Sequence, residues 1–161
     1  MSSTSTSTNP SYSPWLQAAC VVGTGLFAGT ALGVSCAEHP SRLDCAKSPE
    51  FMLAQWRQSF RRAALMQASL AFTSCATGLL SWYLSPDNKP LSNVWLTSSL
   101  TIGSVIPFTL AFIAPTNSYL LNASSAANGI LPALQQWGKL HAVRTVASIL
   151  AFLGLVSEFF R

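Results

Sequence analysis

Trp137, His141, Arg144 and Ser148 are separated by 4, 3 and 4 residues, a spacing that stacks all four along one face of an α-helix. Histidine exchanges a proton near neutral pH. Arginine keeps its charge where water is scarce and donates several hydrogen bonds from a rigid fork. One helical turn apart, the two offer proton transfer beside a fixed positive charge. The plainer alternative is an arginine that snorkels to a membrane surface beside an interfacial histidine. Which of these holds depends on the elements around the face.

Composition says what those elements are. Of 161 residues, 50% are hydrophobic and 9% charged, against about 25% charged in a soluble domain. No charge occurs before Glu38, between Ala63 and Pro86, or between Pro90 and Gly138. A bilayer core about 30 Å thick takes roughly 20 apolar helical residues to cross. The expected fold is therefore an all-α, four-helix, up-and-down membrane bundle. The net charge of +4 comes from scattered residues flanking apolar segments, without the basic stripe that nucleic-acid binding requires.

The first span is expected at about residues 15–37, after a Ser/Thr-rich tail over residues 1–14 that lacks the basic n-region of a signal peptide. Gly25, Gly29 and Gly33 repeat at four-residue intervals in it, a small face open to close packing by a neighbouring helix or a second copy. Residues 49–62 read as an amphipathic segment on the membrane surface, with Leu53, Trp56 and Phe60 on one side and Arg57 and Arg61 on another. The second span follows at 63–84 and ends in a proline-containing turn. The third is expected at 91–114, kinked at Pro107 and closed by Pro115. The fourth, at 138–158, continues a helix that starts near Pro132.

This topology gathers His39, Arg61, Asn117, Trp137, His141 and Arg144 at one end of the bundle. An ionisable residue inside a membrane helix is costly and marks a site by default. Five of the Lys and Arg residues fall between Glu38 and Arg62, which places that end in the cytosol by the positive-inside rule. The Asn122-Ala123-Ser124 acceptor pattern argues for the lumen, and mobility on a gel after glycosidase treatment distinguishes the two. Cys20, Cys36, Cys45 and Cys75 form no C-x-x-C and read as buried thiols, with Cys36 and Cys45 able to pair only in an oxidising lumen. No metal-ligand spacing, phosphate loop or nucleotide fingerprint is present in the sequence.

Pro107-Phe108-Thr109, Ile113-Ala114-Pro115-Thr116-Asn117, Trp137 and Leu140-His141-Ala142-Val143-Arg144 together resemble the fungal anthrone oxygenase family of small membrane proteins. Gly33-Val34-Ser35, Pro40, Trp56 and Phe60-Arg61 extend the likeness, while Arg62 departs from the small residue expected there. The resemblance implies oxidation of a polyketide anthrone to the anthraquinone by O2, without metal or flavin, in an intracellular membrane such as the endoplasmic reticulum. His141 would be the base, Arg144 would stabilise the anion, and Asn117 would orient the substrate. Trp137, Thr116, Arg61, Trp56 and Pro107 would bind it. The rival readings are a non-catalytic tetraspan scaffold and a carrier for a lipophilic intermediate.

Overall fold

The computed structural model describes residues 13–45, 48–85, 92–124 and 127–160. The tail over 1–12, the turn residues 86–91 and Arg161 lie outside the described residues. Four long helices account for nearly everything described: α1 (Pro14–Cys45), α2 (Pro49–Tyr83), α3 (Asn93–Asn122) and α4 (Ile130–Ser157). Each is apolar and long enough to cross a bilayer, and the protein is a multi-pass membrane protein. α1 packs against α2 and α4, and α3 closes the ring against the same two neighbours. Cys20, Trp95 and Leu155 cluster at one end, whereas Trp56, Ile113, Leu120 and Trp137 cluster at the other. Early residues of α1 and α3 thus meet late residues of α4, which makes the bundle antiparallel.

Local chemistry explains how a chain this rich in hydroxyls stays helical in lipid. Thr30, Ser69, Thr73, Thr77, Thr97 and Thr101 each donate to the carbonyl four residues back, so the hydroxyls are satisfied within their own helices. Ser48 caps α2 through the Phe51 amide, with Pro49 in the first turn, and Ser92 caps α3 through the Trp95 amide. Small residues set the helix spacing. A Cβ at Gly23 or Gly78 would strike the hydroxyl of Ser74 or Ser99, respectively, on a neighbouring helix.

Several expected boundaries shift. α1 does not end at residue 37; it continues through a π-helical turn, Val34–Glu38, to Cys45. The i,i+4 ion pair between Glu38 and Arg42 carries the charges along the helix instead of ending it. Residues 49–62 are not a separate surface segment, because they form the first turns of α2 and bury Met52, Leu53 and Trp56 in the core. α3 does not close at Pro115. A second π-helical turn, Thr109–Ile113, lies between Pro107 and Pro115, and Pro115 sits in the first turn of the α-helical stretch that resumes after it.

The glycine face is used only in part. A Cβ at Gly25 would press on Phe152, but nothing lies within 4 Å of one at Gly29 or Gly33. The cysteines are free, and only Cys20 is fully buried. Cys36 and Cys45 are exposed and share α1, where nine residues rise roughly 13 Å, beyond the reach of a disulfide.

Candidate active site

At the end where Trp56 and Trp137 cluster, all four helices enclose a cavity of ≈ 220 Å³. An apolar cavity of roughly 150 Å³ takes up benzene, so this one exceeds the need of a single ring. Its wall is mostly apolar, from Phe27 and Val34 on α1 to Val105, Leu110 and Ile113 on α3. His141 and Arg144 on α4 face Glu38 on α1, Gln67 on α2 and Thr109 and Asn117 on α3 across it.

Of the four residues expected along one face of α4, Trp137, His141 and Ser148 are buried, together with Thr145, and Arg144 beside them is half-buried. The Trp137 ring lies 4.7 Å from His141 and 5.2 Å from His39, centroid to centroid, and it meets Trp56 edge-on at 5.8 Å. Trp56 in turn stacks on Phe60 at 4.8 Å. The Trp137 indole N–H donates to Asn117 Oδ1 at 3.0 Å, which fixes the ring against α3.

His141 is held through Nδ1, which lies 2.9 Å from Ser35 Oγ and 3.3 Å from Thr145 Oγ1. With the proton on Nδ1 and given to Ser35, the Nε2 lone pair is the basic one. Arg144 donates to Gln67 Oε1 and, at 3.4 Å, to Thr109 Oγ1, and its guanidinium lies 5.5 Å from the Phe27 ring centre. All of these partners are neutral. Among the described residues the one ion pair is Glu38–Arg42, and Arg144 Nε is buried with no hydrogen-bond partner. A guanidinium inside a membrane bundle without a carboxylate is expensive. It does not fasten helices by charge pairing; it holds an unspent positive charge at the cavity wall.

A second polar group borders the first. Arg42, 1% exposed, donates to Glu38 and, at 2.9 Å, to Ser59, and lies 3.1 Å from His39 Nδ1. His39 presses so closely on α4 that a Cβ at Gly138 would collide with its imidazole. Alanine normally stabilises a helix over glycine by about 1 kcal/mol. Gly138→Ala is expected to do the reverse, lowering stability by about 1–3 kcal/mol as overpacking does, because Trp137 and Arg42 leave His39 little room. Thermal unfolding in detergent followed by circular dichroism checks this, and a stabilised variant would show that the contact is loose.

The structure brings together His141, Arg144, Asn117, Trp137 and Trp56, but it leaves out three residues expected at the site. Arg61 and Pro107 are exposed, and Thr116, though half-buried, does not line the cavity. Arg61 shares a side of α2 with Arg57, one turn earlier, but Arg57 is the one that reaches a partner, donating to the carbonyls of Leu120 and Ala123, while Arg61 stays exposed. The resemblance gave no role to Ser35 or Thr109, although both stand in its motifs, and it did not include Glu38, Thr145 or Gln67. The Glu38/Arg42 spacing was a visible signal of a continuing helix; Gln67 and Thr145 gave none.

A model of the anthrone oxygenase family matches residues 56–154. The chain belongs to the anthrone oxygenase family. It is 28% identical over 142 residues to anthrone oxygenase dmxR16 of Cryptosporiopsis sp., covering 83% of this chain and 81% of that protein. It is 30% identical over 148 residues to anthrone oxygenase tpcL of Aspergillus fumigatus, covering 86% and 90%. A third relative, anthrone oxygenase nsrD of Aspergillus novofumigatus, is 24% identical over 149 residues, covering 87% and 91%. No solved structure matches. The span matched by the anthrone oxygenase model contains Trp56, Gln67, Thr109, Asn117, Trp137, His141 and Arg144 but not Ser35, Glu38 or Arg42 on α1.

Proposed function

We propose that this protein oxidises the central methylene of an emodin-type polyketide anthrone with O2, giving the anthraquinone and water, in secondary-metabolite biosynthesis at an endoplasmic reticulum membrane. The observation that carries the reading is a histidine and a guanidinium with only neutral partners on the wall of one apolar cavity lined by Trp56 and Trp137. The family relatives supply the substrate class.

The chemistry needs little more than such a wall. Nε2 of His141 removes a methylene proton, and the electron pair left behind spreads through the rings onto the carbonyl oxygen as a phenolate. Arg144 holds that negative charge, in surroundings of low dielectric where a fixed cation counts most. The electron-rich carbon then reduces O2, forming a C–O bond and, with the proton returned, a hydroperoxide. Loss of water removes the second methylene hydrogen, breaks the O–O bond and leaves the ketone. The substrate is its own reductant, so no metal or flavin enters the proposal. Trp137 offers a flat face for the rings, and Asn117 keeps that face in place.

Membranes carrying the protein are expected to convert an anthrone to its quinone, followed by absorbance, faster than autoxidation and only with O2 present. Absence of a protein-dependent rate with several anthrones would leave the scaffold and carrier readings.

A further inference from the structure

A second, more open cavity lies between α1 and α2 and shares Val34, Glu38, Ala63 and Gln67 with the first. Its remaining wall is Thr30, Gly33, Ala37, Ser41 and Met66, of which all but Thr30 are exposed. We propose that this cavity is a vestibule through which the flat aromatic substrate enters sideways from the lipid. The proposal rests on the anthrone reading for the identity of the ligand, but not for the path.

Three observations converge on it. The rim is low: a Cβ at Gly33 meets nothing within 4 Å, and Ala37 and Ala63 add only a methyl each. The π-helical turn of α1 spans Val34–Glu38, so the helix is irregular where it borders both cavities, and Val34 and Glu38 lie in both walls. The level is also right for a ligand that is apolar in its rings and polar at its phenols. Ala63, Met66 and Gln67 open the uncharged stretch of α2 directly after Arg61 and Arg62, just inside the membrane surface, where amphipathic aromatics collect. From there Gln67 leads inward, since it lines both cavities and bonds Arg144. A lipophilic anthrone thus reaches the guanidinium without crossing water or the tightly packed cluster of Trp56, Leu120 and Leu134.

Gly33→Phe and Ala37→Phe are each expected to lower kcat/KM at least tenfold while kcat at saturation stays within twofold, because they obstruct the path and leave the wall around His141 unchanged. Gly29→Phe, on the same face of α1 but outside both cavities, is the control and should match the parent. A second readout does not depend on turnover: the association rate of the anthraquinone product, followed by stopped-flow quenching of tryptophan fluorescence, should fall by the same factor in the two rim variants. Unchanged association in both would overturn the vestibule, as would a loss confined to kcat. If the parent and Gly29→Phe bind the quinone but make none from an anthrone, the functional reading fails while the association rates still decide the path.

Discussion

Arg144→Met is expected to lower anthrone turnover by about 10²–10³-fold, the usual effect of removing one group aimed at a developing oxyanion, while leaving the fold as stable as before or more so. The two halves of this result have one cause. Arg144 is fastened by Gln67 and Thr109 and by contact with Phe27, all neutral, on the wall of a cavity that is mostly apolar. Burying a cation that no carboxylate compensates weakens a fold, and methionine fills similar space without that charge. The scaffold reading predicts the opposite: there Arg144 would tie α4 to α2 and α3, so its loss would lower the melting temperature. Quinone formation and thermal unfolding, measured on the same detergent preparation, separate the two. A variant with near-parental turnover would remove Arg144 from the chemistry, and one with lost activity and a much lower melting temperature would favour the structural role.

That division between activity and stability also marks what the sequence makes legible. Four spans, their antiparallel order and the Trp137, His141, Arg144 face follow from charge gaps and helical spacing, because lipid penalises charge and a helix repeats on a fixed period. The helix ends do not follow. Glu38 and Arg42 look like loop charges until it is clear that they pair along one helix, and Pro115 looks like a stop although a π-helical turn precedes it and the helix resumes there. Gln67 and Thr145 stay hidden for another reason, as does the role of Ser35, although that residue stands in the Gly33-Val34-Ser35 motif. Neutral polar residues are frequent throughout this chain, and most hydroxyls simply bond their own helix. The ones that matter differ only in whom they meet, and Ser35 and His141 are 106 positions apart in sequence. Arg61 shows the converse, since its place in a familiar motif leaves it exposed, whereas Arg57, one turn earlier on the same side, is the arginine that reaches Leu120 and Ala123.

His141→Gln is expected to cut turnover by roughly 10²–10⁴-fold, the range for loss of a positioned general base, while the anthraquinone product still binds. Glutamine keeps hydrogen-bonding groups near Ser35 and Thr145, so the cavity retains its shape, yet its amide cannot accept a proton from carbon. The neighbouring residues sharpen the test. Ser35 Oγ lies 2.9 Å from both His141 Nδ1 and Thr145 Oγ1. When Ser35 accepts the Nδ1 proton it fixes the tautomer whose Nε2 is free to act. Ser35→Ala therefore should lower kcat with little change in KM, and by a smaller factor than His141→Gln, because Thr145, 3.3 Å from the same nitrogen, remains to accept it. In the double variant Ser35→Ala/His141→Gln the two losses should not add: once the imidazole is gone, the serine has nothing left to orient, and the rate should equal that of His141→Gln alone. Additive losses would mean that Ser35 acts on the substrate directly. Near-normal turnover in His141→Gln would pass the role of base to another cavity group, of which Glu38 is the one carboxylate among the lining residues.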